Sequence, residues 1–329
     1  MTELINQAAT SERLPASIAA RLRVPLLVAP MFRVSGPDLV VAACRAGAIG
    51  AFPAVNTRTP EVLDSWLDQI SRATRSAGAA PYCVNIVMNR PQWRDHVACV
   101  ANHGAEIVVT SVGSPAPAIP LLHRVGCLVF SDVATLGHAR KAVAAGADGL
   151  VLLTAGAGGQ TGWLNPFAFV RAVRGFYDGP VLLAGGISDG VALRAAVTLG
   201  ADLGYMGTRF IAASESMASD AYRAMLVGSD IDDVMLTRAF TGLPASFLRP
   251  AVIASGLDPD HLDEEVTPEI ADAVYGGHNP APGPRRWSQV VSAGHTVSAV
   301  TAVQSVAEIV TDVAREFHVV PGMEPVDDR

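Results

Sequence analysis

Between residues 24 and 211, short apolar runs alternate with longer amphipathic ones, and this rhythm constrains the chain more than any other feature. Residues 24–30, 48–52, 82–87, 106–111, 127–130, 149–153, 180–184 and 203–206 read as strands. The segments between them read as helices, over 37–46, 60–76, 92–102, 118–124, 135–145, 165–176 and 190–199. Thr59-Pro60 supplies one helix start, a capping side chain followed by proline at the first turn. The strands lack strict polar alternation, as expected when both faces of a parallel sheet are covered. This many βα units in this length predicts a closed (β/α)8 TIM barrel, with an open doubly wound sheet as the alternative. Ala145-Gly-Ala-Asp148 and Leu199-Gly-Ala-Asp202 echo one another as turns that end a helix and launch a strand.

After residue 211 the rhythm changes. Residues 214–227 and 230–238 read as helices, and 241–286 is rich in proline, glycine and acidic residues. The expected organisation is a barrel formed by 1–212 plus 291–329, with 213–290 inserted as a mainly helical subdomain. A last helix is expected over 299–317, where Val300, Val303, Val306, Ile309, Val310 and Val313 keep helical spacing.

Composition narrows the function. A net charge of −7 without a basic cluster argues against a nucleic-acid surface. Mean hydropathy is +0.32, yet no apolar run approaches the roughly 18 residues of a membrane span, so buried parallel strands account for the value. Residues 1–7 carry neither a basic start nor an apolar core, so no signal peptide is expected. Cys44, Cys83, Cys99 and Cys127 are scattered among apolar neighbours without metal-ligand spacing. Reduced thiols in a cytoplasmic protein are the expectation.

In a (β/α)8 barrel the active site lies at the C-terminal strand ends. There the chain places Pro30-Met31, Asn56, Asn85, Ser131-Asp132 and three glycine loops. The loops are Ala155-Gly-Ala-Gly-Gly-Gln-Thr-Gly162, Gly185-Gly186 and Gly207-Thr208. Loops after the last two barrel strands commonly grip phosphate through backbone N–H groups, although tight packing alone also explains such glycines. Asn56 and Asn85 suit the edge of a heterocycle, while Ser131 and Asp132 either do the same or cap a helix. No nucleophile elbow, Walker loop or His-Glu-x-x-His is present. A site rich in Gly, Asn and Met suggests that a cofactor carries the chemistry.

Pro25-Leu-Leu-Val-Ala-Pro-Met31, the 155–162 turn, Leu183-Ala-Gly-Gly-Ile-Ser-Asp-Gly190, Met206-Gly-Thr-Arg-Phe210 and Arg286-Trp-Ser-Gln-Val-Val-Ser-Ala-Gly-His295 together resemble the nitronate monooxygenase family. The resemblance spans nearly the whole chain. It implies a TIM barrel with an inserted helical domain and non-covalent FMN. Pro30, Met31 and Asn85 would contact the flavin, with Ala155, Gly158 and Gly159 bordering it, while Gly185, Gly186, Gly207 and Thr208 would hold its phosphate. In that family the turn usually ends Gly-Gly-His, and the histidine is the catalytic base; this chain has Gln160.

A glutamine amide takes no proton at neutral pH, but it orients an oxygen by donating a hydrogen bond. The resulting expectation is oxidation of anionic alkyl nitronates with O2 and poor activity on neutral nitroalkanes. His295 is either a replacement base or a polar helix-start residue. Trp163 either shapes the substrate pocket or packs in the core. The competing readings are an NAD(P)H-dependent FMN reductase of quinones or enoyl thioesters, and a catalytically inert flavin-binding homologue. The implied partners are a small molecule and O2 or NAD(P)H, with a homodimer as a further possibility.

Overall fold

The computed structural model describes residues 13–75, 78–275 and 284–319. The reading of the N-terminal seven residues lies outside this range, as does the last residue of the helix expected over 60–76. Among the described residues, eleven strands follow in chain order: β1 (Leu26–Val28), β2 (Ile49–Pro53), β3 (Tyr82–Val87), β4 (Ile107–Ser111), β5 (Leu128–Val133), β6 (Gly149–Leu153), β7 (Gly159–Gln160), β8 (Val181–Ala184), β9 (Leu203–Met206), β10 (Val234–Thr237) and β11 (Ala245–Leu248). All but β7, β10 and β11 run parallel and close a barrel, in which β9 pairs back onto β1. Closure decides between the two architectures: the fold is an eight-stranded (β/α)8 barrel.

The two-faced burial seen in the sequence has a simple origin. Side chains alternate across a strand, so Cys83, Val109, Phe130, Val151 and Leu203 fill the barrel interior. Their neighbours Val84, Val108, Val129 and Leu152 pack outward beneath the helices. At the end opposite the strand C-termini, the buried Asp202 carboxylate is held by Arg174 Nη2 at 2.5 Å and by the Val181 N–H at 2.7 Å. Such a pair orders the bottom of the barrel, because removing either partner would strand a buried charge.

Three expected helices differ in extent. The last runs Val306–His318, because Ser305 and Glu308 form a reciprocal capping box at 305; Val300, though buried, lies in the preceding loop. The helix expected over 214–227 begins only at Asp220, behind a Ser219 cap. The 230–238 segment is a 3-10 turn, Ile231–Asp233, followed by β10. Its Val-Met-Leu-Thr run pairs antiparallel with β11, a non-local partner that overrides the local helical pattern. The segment 213–290 also carries the helices Asp220–Val227, Arg249–Ala254 and Pro268–Tyr275. Its sheet takes its third strand, β7, from the loop after β6.

Candidate active site

The C-terminal mouth of the barrel has a floor made of inward-pointing strand-end side chains. On β3 and β4, Asn85 donates from Nδ2 to Ser111 Oγ at 3.0 Å and to Val109 O at 3.2 Å. On β5, Asp132 shares the inward parity of Phe130, and among the described residues its buried Oδ1 has no hydrogen-bond partner. Burial pushes the Asp132 carboxyl up to about 7. Ser131 has the opposite parity, that of Val129 and Val133, and is buried on the helical side.

One rim is the loop after β1. The Met31 N–H donates to Ser35 Oγ at 2.9 Å, and that hydroxyl donates to Ala29 O at 3.2 Å. Asn56 Nδ2 donates to Met31 O at 3.1 Å and to Ser35 O at 2.8 Å, while its Oδ1 accepts from Arg33 N–H at 2.8 Å. The Asn56 amide is therefore turned into this loop and fixes Pro30-Met31 in place.

The opposite rim is the loop after β6, sewn to the segment where the chain returns. The Gly159 N–H donates to Ser292 Oγ at 2.7 Å, and Ser292 Oγ donates to Ser246 O at 2.6 Å. The Tyr222 hydroxyl donates to Ser292 O. His295 N–H donates to Gly156 O at 2.9 Å, and Gly294 N–H donates to Thr208 Oγ1 at 2.9 Å. A Cβ on Gly158 would sit 2.9 Å from Gly294 N, so the contact demands glycine. The His295 ring lies beside Gly156, with Nδ1 2.8 Å from where a Cβ would be. Gln160 is exposed, and its backbone pairs with Ala245 of β11. Trp287 stacks on Phe247 at 4.9 Å and flanks Gly159. Trp163 is 82% exposed, which removes core packing as its role.

The third rim is formed by the turns after the adjacent strands β8 and β9. Gly186 has a φ of 78° and no neighbour within 4 Å of where a Cβ would stand, so its backbone faces open space. Gly207 follows β9 directly, and Thr208 is buried with its hydroxyl accepting from Gly294. Backbone N–H groups of such turns form a concavity suited to an anion. The structure thus gathers Met31, Asn85, Asp132, Gly158, Gly159, His295, Gly186 and Gly207 around one mouth, and turns Asn56 and Ser131 elsewhere. Nothing in the sequence singles out Ser292 and Tyr222, because each acts across at least 46 residues of chain.

The thiols offer no nucleophile. Burial pushes Cys44 and Cys127 up to about 12 and raises Cys83 well above its usual range. On the outer helices, Asp64, Cys99 and His103 come within 4.8 Å of one another, and His103 Nε2 lies 2.8 Å from Asp64 Oδ1. Among the described residues no helix is long and apolar enough to cross a membrane.

The family model for nitronate monooxygenase matches residues 89–316, more than half of the chain. The chain belongs to the nitronate monooxygenase family. A nitronate monooxygenase of Paraburkholderia phytofirmans is 28% identical over 299 residues, covering 76% of this chain and 80% of that protein. A (3aS,4S,5R,7aS)-5-hydroxy-7a-methyl-1-oxo-octahydro-1H-indene-4-carboxyl-CoA dehydrogenase of Mycobacterium tuberculosis is 28% identical, over 73% of this chain and 67% of its own. Among solved structures, FabK from Thermotoga maritima superposes with a TM-score of 0.74 at 27% identity, over 91% of this chain and 94% of that one. A nitroalkane oxidase from Streptomyces ansochromogenes gives 0.74 at 25% identity, over 92% and 98%. Membership makes this chain an oxidoreductase.

Proposed function

We propose that this chain uses FMN at the barrel mouth to oxidise anionic alkyl nitronates with O2. The observation that carries the reading is Gln160, held by the β7–β11 pairing at an exposed position on the glycine turn. It offers an amide there and no proton acceptor. The open space at Gly186 and the unpartnered oxygen of Asp132 fit a polar heterocycle with an anionic tail. In this reading Pro30, Met31 and Asn85 border the ring, with Ala155, Gly158 and Gly159 beside it. Gly185, Gly186, Gly207 and Thr208 take the phosphate.

When bound, FMN supplies the two-electron exchange between substrate and oxygen. The chain's own task is placement. Gln160 Nε2 donates to a substrate oxygen and orients it, and the Ser292 clamp keeps the turn from drifting. A nitronate arrives already deprotonated. A neutral nitroalkane requires a base, and Gln160 is none. His295, beside Gly156, is the imidazole nearest to that task.

The likeness to FabK favours a second reading, an NAD(P)H-dependent reductase of quinones or enoyl thioesters on the same barrel. Anaerobic addition of a nitronate to the yellow protein is expected to bleach it, and NAD(P)H alone is not. Bleaching by NAD(P)H and not by nitronate would overturn the oxidase in favour of the reductase, and inertness to both would favour a binding homologue. The reading also includes 213–290 as an inserted subdomain and a cytoplasmic location, the latter supported by four cysteines that are all free. A homodimer is part of it too, supported by the exposed Leu236, Ile253 and Ile270; size measurement in solution tests this.

A further inference from the structure

We propose that Asp132 works as an acid: a neutral carboxyl group in the floor of the mouth that donates a hydrogen bond to an electron-rich edge of the ring seated above it. The inference rests on the FMN reading, and it concerns a side chain that the usual histidine chemistry does not involve.

Position comes first. Asp132 is the fifth residue of β5 and points into the barrel at its C-terminal end, one layer above Phe130. The residue keeps partial exposure, and that exposure opens toward the mouth because the layer below is closed. Its buried Oδ1 meets no donor. The titratable groups that face it from inside the barrel are Cys83 on β3 and Tyr205 on β9, and burial keeps both neutral. The flanking strands bring Thr110 and Ser111 on one side, and Val151 and Leu152 on the other. Asn85, on β3, spends its Nδ2 on Val109 O and Ser111 Oγ. Among the described residues no cation faces the carboxyl, and burial raises its pKa.

A carboxylate in that place would lack both a cation and an N–H donor, and so would be costly. A carboxylic acid fits, since it needs only an acceptor for its O–H. A carbonyl oxygen or bare ring nitrogen of a heterocycle is such an acceptor.

The test is a fluorescence-quench titration of the full-length apoprotein with FMN, from pH 5.5 to 9. Donation requires the proton, so wild-type affinity should be highest below about pH 7 and fall about tenfold per pH unit above it. Asp132→Asn carries an N–H donor that does not titrate, and should bind tightly across the range. Asp132→Ala should bind weakly throughout. The phosphate of FMN titrates equally against all three proteins, so the difference between profiles isolates Asp132. If Asp132→Ala fails to fold, the wild-type and Asp132→Asn profiles still decide. Parallel profiles for these two, or wild-type affinity in Asp132→Ala, would overturn the acid while leaving FMN in place. Failure of wild type to bind FMN at any pH would overturn the cofactor reading and this inference with it.

Discussion

Two glycine turns stand side by side at the mouth, after the paired strands β6 and β8, and do opposite mechanical work. The turn at 156–159 is sewn down, with Gly159 bonded to Ser292, Gly156 to His295, and Gly158 pressed against Gly294. The turn at Gly185-Gly186 leaves open space beside Gly186. At Gly158, and at Gly185, whose Cβ would sit 2.5 Å from Thr154 Oγ1, glycine lets protein approach protein; at Gly186 it leaves open space. The same residue type thus marks both a clamp and an opening, and only the neighbours tell them apart.

The largest test of this contrast is Gln160→His on the sewn turn. Because the clamp fixes where the side chain starts, a base installed there should raise kcat/KM for a neutral nitroalkane by about 10²–10⁴-fold. Steady-state oxygen consumption, with the substrate kept from ionising beforehand, reads the gain. No gain would mean that the turn does not aim residue 160 at substrate. Next in size, Gly158→Ala should cost about 1–3 kcal/mol by forcing the return segment outward, and lower the melting temperature by several degrees. Gly186→Ala should weaken FMN binding with a smaller melting shift, since its cost is about 1 kcal/mol of positive-φ strain. Equal melting losses in the two variants would break the contrast.

Ser292→Ala removes the acceptor for the Gly159 N–H, a loss of about 1–3 kcal/mol. Because the clamped turn borders the flavin as well as the substrate in this reading, substrate KM should rise and FMN affinity should fall, and no change in either would mean that Ser292 does not hold the turn. A further effect belongs to stability. A carboxyl raised from its unfolded value of 3.8 to about 7 contributes stability below pH 4 and loses it as pH rises toward 7. The melting temperature of apo Asp132→Asn should therefore exceed that of the wild type by a gap that widens from pH 4 to 7 and then levels off. A constant gap would deny that Asp132 is protonated in the folded protein.

The barrel was legible because each strand's buried pattern and each helix start are local properties of the chain. Asn165 caps Pro166–Arg174 and Thr135 caps Leu136–Ala144, both within three residues of the groups they satisfy. The glycine turns were legible as turns for the same reason. Their mechanics were not, because Ser292 lies 133 residues from Gly159 in the chain. Asn56 shows the same limit: an amide at a strand end looks like a ligand contact until Met31, Arg33 and Ser35 are seen around it. Strand β10 read as helix because its pairing with β11 is supplied by tertiary structure.

The pairing of β7 with β11 has a consequence for anyone recombining members of this family. The two-residue strand carrying Gln160 belongs by sequence to the barrel and by hydrogen bonding to a sheet built almost 90 residues later. A chimera that imports a foreign 155–162 turn alone would inherit a mismatched edge. The smallest exchangeable cassette is discontinuous, and must carry that turn together with residues 234–248 and the Ser292 clamp.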